Sequence, residues 1–220
     1  MFMNKKTITE EMLGCLRERS VESMSEKRRM HTLAVEQMAM RIGAIYAPDK
    51  INILRAAALL HDVTKEIKLN GQLEMCKKYG ISVSENDILA PKTFHAKTAA
   101  ALIKDEYGEF ADDEVVSAVR WHTTGKEGMS VCEKIIYLAD YIDESRKFAD
   151  CVKLREYFWG KNIGEMSESE KKAHLRDTLI LSYDMTIKAL LDENSPVAKD
   201  TFDARNELVC ERLKANEKKG

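Results

Sequence analysis

The sequence predicts an all-α protein, and three observations carry that prediction. Apolar residues recur at three- and four-residue steps along most of the 220-residue chain. Strand-like alternation is absent, as is any internal repeat of solenoid period. Only 3 Pro and 10 Gly leave little turn chemistry for a meander of short strands. The length suits one compact domain, or one domain with a small appendage.

The elements follow in order. "TITEEMLGCLRERSVESM" places Ile8, Met12 and Leu16 on one face and opens with a threonine–glutamate start resembling a capping box. "EKRRMHTLAVEQMAMRIGAIY" continues with Met30, Leu33, Ala34, Met38 and Ile42. Pro48-Asp49 breaks the chain and is expected to cap "KINILRAAALLHD". "QLEMCKKYG" is a shorter helix ending in a glycine suited to a helix C-terminus. "ENDILAPKTFHA" reads as a loop with a helical turn, and "FHAKTAAALIKDEYG", "DDEVVSAVRWHTTG" and "SVCEKIIYLADYIDESR" as three further helices. "CVKLREYFWGKNIGEMSESEKKAH" is polar and glycine-punctuated, and its His174 reads as a surface residue. A long helix "LRDTLILSYDMTIKALLDEN" comes next, then a loop and closing helix in "SPVAKDTFDARNELVCERLK".

Charge excludes some classes. Lys+Arg 35 against Asp+Glu 37 gives a net charge of −2, which offers no electrostatic case for binding duplex nucleic acid or an anionic membrane. No uncharged apolar run approaches the roughly 20 residues that span a bilayer. The start "MFMNKKTITEEMLG" lacks an apolar stretch of signal-peptide length. Five scattered cysteines without a C-x-x-C read as reduced thiols, so the expected location is the cytoplasm.

Four histidines fall in telling places. His31 lies one turn after Arg28, His61-Asp62 ends the apolar run "AALL", His95 opens a helix, and His122 closes another in "RWHTTG". Asp140 sits among the apolar residues of "IIYLADYI", where an unpaired carboxylate is costly. Singly, each is ordinary: a lone helical histidine is more often a hydrogen-bonded structural residue than a ligand, and an HD dipeptide alone is weak. Together they put metal-type donors on the apolar segments of successive helices. Neutral imidazoles and carboxylates suit zinc, iron, manganese or nickel, and the lack of cysteine argues against a structural thiolate site. Two His and two Asp leave positions open for water, whose pKa a metal lowers. His95 and His122 either hold a second ion bridged by Asp62 or donate to phosphate oxygens; the residues leave both open.

The order H…HD…D resembles the HD-domain metal-dependent phosphohydrolases, an all-α superfamily acting mostly on phosphate esters and anhydrides of nucleotides. "RRMHTLAV", "AALLHDVTK", "FHAKTAA", "VRWHTTG", "EKIIYLADYIDESR" and "TFDARNELV" are similar to the YqeK family of bacterial symmetrical diadenosine tetraphosphate hydrolases. The resemblance runs from about residue 27 to 150 and resumes around 178–210. It implies an HD-domain helical bundle with an N-terminal helix over 1–26, a metal-binding core over 27–150, and helices over 151–220 completing the same domain. It implies that His31, His61, Asp62 and Asp140 hold the metal, a divalent or trivalent transition ion, iron in this family, as one or two ions. Around the phosphates it implies Arg28, Lys65, His95, His122 and Arg146, with His31, Asp62 and Asp140 also near the substrate. A solvated helix surface is the alternative for any one arginine. The loop of Ser195, Pro196, Val197, Ala198, Lys199 and Asp200 matches a segment that contacts the nucleotide through its backbone.

Two departures stand out. Glu144-Ser145 replaces a common Glu-Pro turn, so the loop carrying Arg146 is expected to sit differently. Residues 157–174 are extra length, a candidate for reshaping the nucleotide pocket or for an oligomer contact such as a homodimer.

The expected reaction is hydrolysis of diadenosine tetraphosphate to two ADP by metal-activated water attacking an inner phosphorus in line. Asp62 holds the metal and orients the water; His95 or His122 stabilises charge or protonates the leaving oxygen. A nucleotide phosphatase or cyclic-nucleotide phosphodiesterase of the broader HD class is the alternative, though the missing "GYP" triplet disfavours the cyclic-di-nucleotide branch. A non-catalytic nucleotide-binding module is disfavoured by retention of every candidate site residue.

Overall fold

Every residue from Leu54 to Leu60 is buried, so the helix carrying them has no solvent face and must sit at the centre of its neighbours. The computed structural model describes residues 7–217, with Asn86 by its backbone alone, and orders them into eleven α-helices without a strand. In chain order these are α1 (Glu10–Val21), α2 (Glu26–Tyr46), α3 (Ile51–Leu60), α4 (Leu69–Lys78), α5 (Glu85–Leu89) and α6 (Phe94–Glu106). Then come α7 (Asp113–Trp121), α8 (Val131–Ile142), α9 (Ala149–Trp159), α10 (Glu168–Asp192) and α11 (Lys199–Glu217). The first six residues of the expected N-terminal helix and the last three of the chain lie outside the described residues.

The central apolar helix is α3, which packs against α1, α2, α7 and α8. Its run Ala56-Ala57-Ala58 is small enough to let those neighbours approach closely. On α2 the buried stripe of His31, Thr32, Val35, Met38, Ala39 and Ile42 faces it. One charge interrupts that stripe. Glu36 is buried and accepts from Arg17 at 2.7 and 3.0 Å and from Arg55 at 3.0 Å. Arg55 also donates to Glu10 at 2.6 and 2.7 Å, so one ionic chain ties α1, α2 and α3 together.

α8 begins with a reciprocal cap: Ser130 accepts from the Glu133 N–H, and the Glu133 carboxylate accepts from the Ser130 N–H. Its buried Ile135, Ile136, Leu138, Ala139 and Ile142 then lock its rotation, which fixes where Asp140 points. Of the three C-terminal helices, α10 packs against both α9 and α11, and α9 and α10 reach α8.

Several local expectations change. Asp49 caps nothing: Pro48–Lys50 form a 3₁₀ turn, and Lys50 occupies the N-cap of α3 without a side-chain bond. Thr9 accepts from the Met12 N–H, but methionine at that position cannot return the bond, so no capping box forms at α1. The helix read from Gln72 starts earlier, at Leu69. The polar stretch after residue 150 holds α9, whose apolar stripe is only Cys151, Leu154 and Phe158 and is too sparse to show as periodicity. The long helix starts at Glu168, seven residues before the expected Leu175, because Ser167 and Glu170 form a capping box there.

His174 is the clearest correction. It is buried, stacks on Phe158 with ring centroids 5.3 Å apart, and donates from Nε2 to the Phe158 carbonyl at 3.0 Å. The earlier start of α10 places His174 within the helix, on the side covered by α9. Among the cysteines, all five are free thiols; Cys76, Cys132 and Cys151 are buried.

Candidate metal centre

Four helix termini and one helix interior bring six side chains together. His31 comes from the second turn of α2, His61 and Asp62 from just past the end of α3, and His95 from the start of α6. His122 follows the last residue of α7, and Asp140 lies near the end of α8. All six are buried or nearly so; Asp140 keeps 17% of its side chain exposed. Lys65 does not continue α3: residues 61–66 form turns, with the Lys65 N–H donating to the Asp62 carbonyl at 2.9 Å.

Asp62 is the hinge of the geometry. Its Oδ2 stands 3.6 Å from His31 Nε2 and 3.3 Å from His61 Nε2, while its Oδ1 stands 3.3 Å from His95 Nε2 and 3.8 Å from His122 Nε2. Asp140 Oδ1 lies 3.0 Å from His31 Nε2 and 3.7 Å from His61 Nε2. Asp62 therefore joins two groups of imidazoles, and Asp140 stands with one of them. His31, His61 and Asp140 form one set with ligand atoms close enough to share an ion, and His61, Asp62 and His122 form another.

The donors fit a transition metal. His61 donates from Nδ1 to the Ala58 carbonyl at 2.6 Å, and His122 donates from Nδ1 to the Val119 carbonyl at 2.6 Å. Each bond fixes the tautomer and leaves the Nε2 lone pair facing the cluster. Asp62 Oδ1 is buried yet accepts no hydrogen bond, an orphan that a cation would satisfy.

Electrostatics point the same way. Burial opposes ionisation of Asp62, but His61 and His95 hold it well below the usual carboxylate range. Burial likewise opposes Asp140, which Arg146 and His31 nevertheless keep ionised. Burial, with Lys65 and His122 adding to it, drives His95 far below the ordinary imidazole value. Burial and then His61 bring His122 down to about 4. His31 behaves oppositely: burial works against its charged form, yet hydrogen bonds with Asp140 and Asp143 lift it to about 9.

Three cations surround the cluster. Arg28 pairs with Asp62, Arg146 with Asp140 and, at 3.3 Å, Asp143, and Lys65 Nζ sits 3.2 Å from His95 Nε2. Burial lowers the Lys65 ammonium below its usual value.

Residues 28–145 match the family model described as HD domain, over half of the chain. The chain belongs to the HD-domain family. It is 32% identical to the symmetrical bis(5'-nucleosyl)-tetraphosphatase of Halalkalibacterium halodurans, over 86% of this chain and 92% of that one. With the protein of the same name from Bacillus subtilis it shares 30% identity over 91% and 97%. A crystal structure from Clostridium acetobutylicum, described as a "predicted HD superfamily hydrolase involved in NAD metabolism", superposes with a TM-score of 0.76 at 30% identity, covering 90% of this chain and 97% of that one.

The HD domain implies dependence on a divalent metal, which the cluster around His61-Asp62 could hold, and the structure adds neighbours that sequence reasoning missed. Asp143, with a fully buried side chain, stands 3.2 Å from His31 Nδ1 and orients that ring. Ser145 donates both its N–H, at 2.8 Å, and its hydroxyl to Asp143 Oδ1, using a backbone N–H that proline would lack. The Thr123 hydroxyl lies 3.2 Å from both His95 Nε2 and His122 Nε2. Asp143 follows Asp140 by three residues in "YLADYIDES", a helical spacing that was the one available signal. The segment Ser195–Asp200 is linked to the centre less directly. Thr201, just after it, donates to the Thr124 carbonyl at 3.0 Å, one residue from Thr123, while Lys199 pairs with Asp203.

An ion that binds only the folded chain stabilises it. Adding a divalent transition ion at about 100 times its Kd to chelator-stripped protein should therefore contribute about 2.7 kcal/mol and raise the melting temperature by roughly 5–10 °C. Binding should also release protons below pH 9, because His31 must give one up. An unchanged melting temperature in differential scanning calorimetry would remove the centre.

Proposed function

We propose that the chain is a metal-dependent hydrolase that cleaves diadenosine tetraphosphate, and related dinucleoside polyphosphates, symmetrically into two ADP. The observation that carries this reading is the ring of Arg28, Lys65 and Arg146 around the His/Asp cluster. A polyphosphate brings several negative charges to a centre, and forked guanidiniums suit its oxygens. Relatives of nearly equal length carry the name of the symmetrical enzyme.

His31, His61, Asp62 and Asp140 are the proposed ligands, with His95, His122 and Asp62 Oδ1 able to hold a second ion. Iron suits this imidazole–carboxylate set. A bound ion supplies Lewis acidity and lowers the pKa of water. Asp62 orients the attacking water from the midpoint of the cluster. His95 and His122 are held neutral by burial, and the Nδ1 proton of His122 is committed to the Val119 carbonyl. Their lone pairs suit a cation rather than a phosphate oxygen, which fits them to hold a second ion. That leaves Lys65, beside His95, as the group with a proton to offer the departing ADP oxygen. Arg28 and Arg146 grip the flanking phosphates, and the backbone of residues 195–200 is the proposed contact to the nucleotide.

We place the enzyme in the cytoplasm, in accord with its five free thiols. No helix among the described residues is long and apolar enough to cross a membrane.

Chromatography of products from diadenosine tetraphosphate, with protein purified without chelators, tests the reaction. ADP as sole product is expected. ATP plus AMP would overturn symmetrical cleavage, and release of phosphate from mononucleotides alone would favour the phosphatase alternative.

A further inference from the structure

Two large apolar side chains are exposed where the fold has no use for them. Phe148 is 72% exposed and Met30 61%. Phe148 occupies the N-cap of α9 without making a side-chain bond, a position that Ser, Thr, Asp or Asn usually fills. Met30 precedes His31 on α2, outside the buried stripe of that helix. Both line the same cavity of about 880 Å³, and so do Arg28, His31, Lys65 and Arg146. The cavity thus joins cationic side chains beside the His/Asp centre with two large apolar ones. Its size falls in the range of small-molecule sites.

Lys65 also lines a second, smaller cavity of about 250 Å³, shared with Ile67, Leu69, Pro91, Lys92 and His95. The two cavities meet at Lys65, beside the centre. A chain of phosphates laid across Lys65 would leave one nucleoside on each side.

We propose that the larger cavity is the subsite for one nucleoside half of the dinucleotide, with Phe148 and Met30 holding the base and the Arg28–Lys65–Arg146 wall holding its phosphates. The proposal rests on the reading of the chain as a dinucleoside polyphosphate hydrolase and adds what seats the base. Phe148 offers an aromatic face to stack on, and Met30 a polarizable thioether. An aromatic contact to a base contributes enough that removing it weakens binding by about tenfold or more. Phe148 and Met30 are specificity-determining residues here; neither approaches the reacting phosphorus.

The test is the steady-state kinetics of Phe148→Ala, Met30→Ala and Phe148→Trp on diadenosine tetraphosphate, with inorganic tripolyphosphate as a base-free competitive inhibitor. Phe148→Ala should raise KM about tenfold with kcat nearly unchanged, Met30→Ala should raise it less, and Phe148→Trp should restore the wild-type value. The inhibition constant of tripolyphosphate should be the same in all four proteins, which a general structural defect would not allow. If wild type releases ADP but KM is unmoved in both alanine variants, the subsite is overturned and the hydrolase reading stands. If wild type does not cleave diadenosine tetraphosphate, both are overturned.

Discussion

Asp62→Ala is expected to lower turnover of diadenosine tetraphosphate on the order of a thousandfold while leaving helical content intact. Asp62 is the one side chain whose two oxygens face different imidazole groups: His31 and His61 on one side, His95 and His122 on the other. Alanine removes the shared donor from both, so metal content should fall together with kcat. The fold should survive, because the core of α3 is built from Leu54 to Leu60 and does not depend on the carboxylate that follows. Circular dichroism, metal analysis and a turnover assay on one preparation decide the matter. Turnover within tenfold of wild type at unchanged metal content would remove Asp62 from the chemistry. Asp140→Ala should behave alike.

Gly125→Ala is expected to cost about 3–5 kcal/mol, the sum of a left-handed backbone penalty and an overpacking penalty. Gly125 has φ +64°, and a Cβ there would stand 2.0 Å from Tyr183 Oη and 2.9 Å from its Cζ. Tyr183 is fully buried and cannot withdraw. The glycine N–H donates to the Trp121 carbonyl at 2.9 Å, closing α7 immediately after His122 and Thr123, so strain at this turn would also displace those two side chains. Thermal unfolding should show a midpoint lowered by roughly 10 °C, with activity lost beyond what unfolding explains. Gly80→Ala is the control: its φ is +65°, but nothing lies within 4 Å of the added Cβ, so only the backbone penalty of about 1–2 kcal/mol applies. Equal effects at the two positions would show that Tyr183 is not what makes Gly125 necessary.

Much of this centre was legible one residue at a time. His61-Asp62 stood out because a polar pair ended an apolar run, and Asp140 because it interrupted one; both are contrasts between neighbours in the chain. Residues whose importance depends on a distant partner were not legible. Asp143 reads as a helix-end aspartate until α2 brings His31 beside it. His174 reads as surface until α9, with its sparse apolar stripe, covers it. Glu36 and Arg55 look like solvated helix positions, yet each is buried against the other.

The amino-acid sequence alone determined the helical class and the kinds of donor available, since periodicity is a local property and an imidazole or carboxylate carries its chemistry wherever it sits. Tertiary structure alone decided which oxygen of Asp62 faces which imidazoles, which tautomers Ala58 and Val119 impose, and that Phe148 and Met30 share a cavity with Arg28 and Arg146. Those are relations between residues far apart in the chain. Their distances are set by how α2, α7 and α8 close around the small alanines of α3.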